Sequence, residues 1–248
     1  MKERVSGIDD YLGFLQSLWS RHPAQFLFGG QAVNFWAEYF DRIDRPGKLS
    51  EFRPFTSKDC DLWVSAQVWK DIQHEERTRL VCGSSPADGQ LGLLTLQQSP
   101  LRVVDLLSGV YGIRQDELAR LCERAPVFNG IKVIDPVFLF RSKCHCLLGL
   151  DQSDRQDERH VRMLALILPE YLALLIIAGA DAEKLGERAI LREIKLLRKI
   201  LGTNACRRVL GQLEIDSDSL IPWSCMENCG LDALASFSAA QRNRPGKG

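Results

Sequence analysis

Residues 52–65, FRPFTSKDCDLWVS, place two aspartates at the start of an apolar segment, and this pattern constrains the fold more than any other part of the chain. Asp59 and Asp61 precede the apolar run LWV, which predicts a strand beginning near residue 59. Residues i and i+2 of a strand face the same side, so the two carboxylates would lie together and repel each other. We therefore expect a positive group between them.

The segments around this strand predict a mixed α/β region. AQFLF (24–28) is typical of a short strand, Gly29-Gly30 of a turn, and QAVNFWAEYF (31–40) of a helix. Apolar periodicity predicts an opening helix, a helix after the aspartates and three further strands, at residues 8–20, 65–78, 91–97, 101–110 and 131–136. A turn-rich link is expected over 83–90.

From Pro136 onward the pattern is helical. Four helices are expected, at residues 136–150, 157–168, 169–180 and 187–201. The predicted fold class is therefore α+β, with a mixed sheet and helices followed by a C-terminal helical bundle. We expect an α/β domain over 1–135, a helical domain over 136–240 and a disordered tail over 241–248.

The charges balance overall, with 32 basic and 32 acidic residues, so composition gives no general indication of a polyanionic partner. Residues 184–208 are an exception, with eight basic and two acidic residues. A basic helix of this kind suits an RNA acceptor such as a tRNA end, although a solvated outer face has the same composition.

The N-terminal segment MKERVSGIDDYLGF lacks the apolar core of a secretory signal, which predicts a cytoplasmic protein. The most apolar segment, residues 171–180, is shorter than the roughly 20 residues of a membrane span. Of the eight cysteines, a zinc set could use Cys144, Cys146, Cys225 and Cys229 with His145. Their spacing is not that of paired zinc knuckles, and buried thiols are the preferred interpretation.

Three acids and a glycine turn together suggest phosphoryl chemistry. The backbone amides where Gly29-Gly30 opens a helix suit a phosphate group. Asp59 and Asp61 could hold Mg²⁺, and Asp105, in the apolar segment LRVVDLL, would complete a set of three acids for two-metal chemistry. Each feature also has a simpler explanation: a surface acid pair, a turn glycine, or an ion pair between Asp105 and Arg102.

The order of these motifs resembles the nucleotidyltransferase superfamily with the polymerase-β-like fold, at FLFGGQAVNFW, TSKDCDLWV and VVDLL. Within it, the chain is most similar to the AbiEii-type, toxin-like nucleotidyltransferases. VIDPVFLFRSKCHCLLGL also resembles the later helix of that family, which carries a lysine near the nucleotide. The resemblance covers roughly residues 24–160.

The resemblance implies a role for each matching residue. Asp59, Asp61 and Asp105 would bind two Mg²⁺ ions, with Mn²⁺ as an alternative, and Asp105 would also be the candidate base. The residues implied in nucleotide binding are Gly29, Gly30, Ser57, Lys58 and Lys143. Gln31 departs from the family, because many members carry Ser or Thr near this turn.

The function implied is transfer of a nucleoside monophosphate from an NTP, such as ATP, to a hydroxyl on RNA, protein or a small molecule, in a protein that has an antitoxin-like partner. A small-molecule enzyme of the antibiotic-modifying type is an alternative, and a non-catalytic nucleotide-binding or protein-binding member of the fold is another. All enzyme interpretations require the three carboxylates to converge within the distance that a metal can bridge.

Overall fold

The computed structural model describes residues 6–43, 47–76, 80–82, 89–96, 101–180 and 186–242. The chain divides into two compact units, residues 1–163 and 164–248. The boundary lies inside a long helix, so the first unit includes the helix that begins at Pro136. The predicted domain boundary at 135/136 marks a change in secondary structure, and as a domain boundary it stays a prediction.

The described residues form an α+β fold, as the sequence predicts. They include ten α-helices. The helices are α1 (Leu12–Arg21), α2 (Gly29–Ile43), α3 (Ala66–Glu75), α4 (Gln115–Arg124), α5 (Pro136–Gly149), α6 (Asp157–Ala180), α7 (Glu187–Leu201), α8 (Asn204–Gln212), α9 (Trp223–Asn228) and α10 (Asp232–Arg242). The strands are β1 (Gln25–Phe28), β2 (Cys60–Val64), β3 (Leu80–Cys82), β4 (Gln90–Leu96), β5 (Arg102–Leu107), β6 (Val127–Phe128) and β7 (Ile131–Lys132).

A mixed five-stranded sheet in the first unit has the order β1-β2-β5-β4-β3. Strands β2 and β5 are parallel, and the other neighbouring pairs are antiparallel. All of β1 is buried, and helix α2 follows it directly. The indole of Trp36 on α2 is buried and donates a hydrogen bond to the Ile134 carbonyl (2.9 Å), which ties α2 to the segment before α5.

Several predicted elements differ from the structure. Residues 131–136 were expected to add a strand, but β7 pairs only with β6 in a separate two-stranded sheet, apart from a single bridge between Leu27 and Val133. Strand β3 was not predicted, because three residues are too few to show periodicity. The predicted link over 83–90 is described only at residues 89 and 90. The predicted disordered tail over 241–248 is wrong at residues 241 and 242, which belong to α10, and its residues 243–248 lie outside the described residues.

The prediction of two helices over 157–168 and 169–180 was wrong, because α6 runs through Pro169. Proline removes one backbone hydrogen bond and usually kinks or ends a helix. Here the apolar face is buried on both sides of it, at Ile167, Leu168, Leu172 and Ile176. Burial of that face compensates for the lost bond and keeps the two segments in one helix.

The continuous helix is longer than the apolar segment recognised in the sequence. By length and composition, residues 157–179 could cross a membrane, with a mean hydropathy of 2.0 over the most apolar window and 39% of that window buried. The core helix of a soluble protein passes the same test. The cytoplasmic location stays a prediction.

The start of α5 depends on one buried carboxylate. Asp135 caps the helix and accepts hydrogen bonds from the amides of Val137 and Phe138, each at 3.1 Å. Pro136 at the first helical position needs no such bond. Helix α5 carries Lys143, so this cap helps to position a candidate site residue.

We predict that Asp135→Ala lowers the free energy of unfolding by about 1 to 2 kcal/mol, because two buried amides lose their acceptor. Asp135→Asn is the matched control, since its amide oxygen can still accept from the helix start. Urea unfolding followed by circular dichroism measures both variants. Equal losses for Ala and Asn would contradict the capping role.

Candidate metal and phosphate site

Three aspartates converge at β2 and β5, two neighbouring inner strands of the mixed sheet. Asp61 on β2 lies directly opposite Asp105 on β5 in the parallel register, and Asp59 comes two residues before Asp61. One carboxylate oxygen from each lies within 4.8 Å of the others. The expectation that the carboxylates converge is therefore confirmed.

The alternation of strand β2 explains how acids can occupy an apolar strand. Cys60 and Leu62 face the core and are almost fully buried, whereas Asp61 between them is only half-buried. Val104 and Leu106 flank Asp105 in the same way on β5. Each strand thus gives one face to the core and the other to the acids.

The crowding of the acids raises their pKa values. Burial, followed by the charge of Asp59, raises the pKa of Asp61 to about 7. Burial and Asp59 also raise the pKa of Asp105 to about 6, against a hydrogen bond from the Gln90 amide (3.3 Å) that lowers it. Lys143 and Arg155 oppose the shift at Asp61. The nearby cations therefore do not fully offset the effects of burial and of the neighbouring acids on these two carboxyls.

The two glycines at the start of α2 allow the chain to approach this site closely. Gly29 has a φ of +67°, and a Cβ added to it would lie 1.7 Å from Oδ2 of Asp61. A Cβ on Gly30 would lie 2.3 Å from Oγ of Ser57. Any side chain at either position would displace the acid or the serine. The first turn of α2 can therefore present its backbone amides beside the carboxylates.

A buried ion-pair network lies behind the acids. Lys143 on α5 is 5% exposed and donates to Oδ1 of Asp157 at the start of α6, with an Nζ–Oδ1 distance of 2.8 Å. Arg155 donates to the other oxygen of Asp157, at 2.6 Å. Asp157 is 1% exposed, and its pKa is lowered by both cations against the effect of burial. Lys143 is thus a buried, paired lysine and not a solvated one.

These groups line a single cleft with a volume of about 120 Å³. Its walls combine two of the three acids, the start of α2 and several cations: Gly30, Ser57, Lys58, Asp59, Asp61, Lys143, Asp154, Arg155, Gln156, Asp157 and His160. Six of the eight residues expected in the site therefore line it. Gly29 and Asp105 adjoin it through their contacts with the Asp61 carboxylate.

Ser57 and Lys58 occupy different positions in the cleft. Ser57 is buried, and its backbone forms a two-residue bridge with Ser6. Lys58 is partly exposed, with its Nζ 4.0 Å from Oδ1 of Asp154. Lys58 can reach a ligand in the cleft, whereas Ser57 offers a hydroxyl beside Gly30.

Sequence reasoning missed Arg155, Asp157 and His160 as members of the site. His160 is 3% exposed and lines the cleft. Neither ring nitrogen has a hydrogen-bond partner in the described part of the chain, and burial holds the pKa of the imidazole well below its usual value. The sequence of the segment DRQDERH indicates only that it is charged. Its contact with the site joins Asp157 to Lys143, 14 residues earlier, and no local pattern predicts a contact of that kind.

Gln31 has a structural role that its position in the glycine turn did not indicate. It is fully buried, and its amide donates to the Ser6 carbonyl at 2.9 Å. The residue at this position therefore binds the N-terminal segment to α2.

Among the described residues, the three aspartates are the group of metal-binding side chains that the structure brings together. Cys144 and Cys146 of the considered zinc set are buried and form no disulfide. No model of a known protein family matches the chain. The curated proteins contain no significant match to it either. The geometry of the cleft is therefore the basis for any functional assignment.

We predict that Asp61→Asn stabilises the metal-free protein at pH 8 by about 1 to 3 kcal/mol, because it removes one of three crowded charges. The pKa of Asp61 in the folded protein, about 7, lies above the ordinary aspartate value of 3.8, so the wild type loses stability as the pH rises from 4 to 7. The variant should lack most of this loss. Urea unfolding in EDTA at pH 4.5 and 8 measures it.

The same experiment in Mg²⁺ provides the control. Mg²⁺ should stabilise the wild type, since it binds the folded state, and should stabilise the variant much less. Glu123→Gln, at an exposed position on α4, should leave both stability and its pH dependence nearly unchanged. A variant less stable than the wild type at pH 8 in EDTA would refute the crowding argument.

Proposed function

We propose that the protein is a Mg²⁺-dependent nucleotidyltransferase that moves a nucleoside monophosphate from an NTP to a hydroxyl group. One observation carries the proposal: three carboxylates converge beside a cleft that includes the glycine start of α2 and two buried or half-buried cations. The order of strand, glycine turn, helix, acid strand and third-acid strand supports a polymerase-β-like arrangement of the sheet.

The donor set fits Mg²⁺, which prefers carboxylate oxygens together with substrate phosphate oxygens. Asp59, Asp61 and Asp105 would hold one or two ions, and Mn²⁺ has similar ligand preferences. Their raised pKa values are consistent with a site that gains from a bound cation. When bound, such ions supply charge neutralisation at the phosphates and activation of the attacking hydroxyl.

The chain itself supplies most of the contacts to the triphosphate. The amides at Gly29 and Gly30 offer donors where α2 begins, and the positive end of the helix favours an anion. Lys143 and Arg155 add positive charge that Asp157 orients. Lys58 lies nearer to solvent and can contact the outermost phosphate of the triphosphate. These groups bind and position the nucleotide without entering the chemical step.

The transfer itself needs a base and a leaving group. The acceptor oxygen forms a bond to the α-phosphorus while the bond from that phosphorus to the bridging oxygen breaks, and pyrophosphate leaves with the electron pair. Asp105 takes the proton of the acceptor hydroxyl.

The acceptor that the charges favour is RNA. On α7, Arg188, Arg192, Lys195 and Lys199 are all exposed, and their spacing of four, three and four residues places them on one face. The opposite face of α7 is buried through Ile190, Ile194 and Leu197. We call the four cations the basic stripe. Lys184, at the start of the predicted basic segment, lies outside the described residues.

We predict that the wild type transfers label from at least one α-³²P NTP to RNA in Mg²⁺, and that Asp59→Ala/Asp61→Ala abolishes transfer. Lys143→Ala should reduce kcat/KM by about 10- to 1,000-fold, because an oriented phosphate contact is worth roughly 1.5 to 4 kcal/mol. Asp116→Asn is the matched carboxylate control and should transfer as the wild type does. Gel separation of labelled RNA measures all four proteins.

The pattern of failure distinguishes the alternatives. Label on a small hydroxyl compound or on protein, with none on RNA, would keep the transferase proposal and replace its acceptor. Binding of NTP without any transfer would favour the non-catalytic interpretation. Equal transfer by the double variant would refute the assignment of the acids.

We predict that Arg192→Glu/Lys199→Glu weakens RNA binding and makes the dependence of log Kd on log salt shallower by about 1.4 to 1.8, for two lost phosphate contacts. Lys70→Glu, an exposed charge reversal on α3, is the control and should have a much smaller effect. Fluorescence anisotropy with labelled RNA across a salt series gives both values. An unchanged slope would exclude the basic stripe from RNA binding.

A further inference from the structure

A second, wider depression shares part of its lining with the cleft, and we call it the outer groove. It has a volume of about 490 Å³ and is lined by Glu51, Phe52, Arg53, Glu158, Arg159 and Arg162 together with Arg155 and Gln156. The last two residues also line the cleft. The two spaces therefore meet at Arg155 and Gln156, within the first compact unit.

The two spaces differ in volume, so they suit different parts of a ligand. Sites that enclose a drug-sized molecule have volumes of about 300 to 1,000 Å³. The cleft, at about 120 Å³, is too small for a whole nucleotide but has polar walls suited to phosphates. The outer groove, at about 490 Å³, has room for a nucleoside.

The walls of the outer groove carry the groups that recognise a base. Phe52 contributes an aromatic ring from a short 3-10 turn, and Arg159 contributes a guanidinium plane. Bases stack on both kinds of surface. Arg159 is held in place by hydrogen bonds to the carbonyls of Phe52 and Pro54 and to Oε1 of Gln156. A fixed guanidinium loses little conformational entropy when a ligand stacks on it.

Gln156 and Arg155 complete the connection between the two spaces. The Gln156 oxygen accepts from Arg159, so the amide nitrogen of the same side chain is the end that can donate to an acceptor on a base. Arg155 is oriented by Asp157 at the junction. A nucleotide with its phosphates in the cleft would pass Arg155 before its base enters the outer groove.

We propose that the outer groove is the nucleoside subsite, in which the base of the NTP stacks on Phe52 and Arg159 and accepts a hydrogen bond from Gln156. This inference rests on the proposed function, since it takes the triphosphate to be in the cleft. It assigns base recognition to residues that neither the acid motif nor the glycine turn includes.

Inorganic tripolyphosphate separates the two parts of the site. Isothermal titration in Mg²⁺ should show that the best of ATP, GTP, CTP and UTP binds the wild type more tightly than tripolyphosphate does. Phe52→Ala should weaken binding of that NTP by about 5- to 100-fold, the range for loss of one stacked base. Gln156→Ala should weaken it less and reduce the preference among the four bases. Phe52 lies outside the cleft, so Phe52→Ala should leave the affinity for tripolyphosphate unchanged.

Two controls guard against an indirect effect. Phe52→Leu keeps apolar bulk but removes the aromatic face, so it should lose most of the NTP preference while the fold is retained. Tyr111→Ala removes an exposed aromatic ring outside both spaces and should bind as the wild type does. Unchanged binding of tripolyphosphate shows in each variant that the cleft is intact.

The outcomes that overturn the inference differ from those that overturn the proposed function. Equal affinity of the wild type for NTP and tripolyphosphate, or unchanged NTP binding in Phe52→Ala, would remove the nucleoside from the outer groove and leave phosphate binding standing. Absence of binding by every NTP and by tripolyphosphate would refute the nucleotide-dependent function itself.

Discussion

The repulsion among three carboxylates is the constraint around which the first unit is organised. The parallel register of β2 and β5 sets Asp61 opposite Asp105, and it could not do so without a compensating positive charge nearby. Lys143 and Arg155 supply that charge, and both lower the pKa of Asp61 against the effects of burial and Asp59. The compensation is incomplete, because both acids keep raised pKa values. The fold therefore stores an unfavourable interaction that a bound cation would relieve.

The acids and the cations lie on different secondary-structure elements, and this separation explains how such a site can be stable. The acids lie on the sheet, whose other face is buried apolar core, while the compensating cations lie on or beside the helices α5 and α6. Asp157 accepts from Lys143 and Arg155 together, so the buried lysine is paired before any ligand binds. A buried pair of this kind gives little net stability, but loss of one partner is costly. Its role is to fix where the cations lie.

Much of the acid half of the site could be predicted from the sequence, because its signals are local. Two acids at strand spacing, a glycine pair after an apolar strand and a lone Asp105 in an apolar run each appear within a few residues. The cation half could not be predicted in the same way. Asp157 and His160 join the site only because α5 ends and α6 turns back beside it, a contact over 14 residues that no periodicity reports. The path of α6 through Pro169 was missed for a related reason, since burial on both sides overrides the local preference.

The structure explains the Gly29-Gly30 pair by a lack of space for side chains at the start of α2. A Cβ on Gly29 would occupy the position of the Asp61 carboxylate, and one on Gly30 would collide with Ser57. The absence of side chains here is thus a condition for bringing a helix start beside crowded acids. A helix start attracts anions and three carboxylates attract cations, so the two together favour a ligand that carries both, a phosphate group with its metal ion.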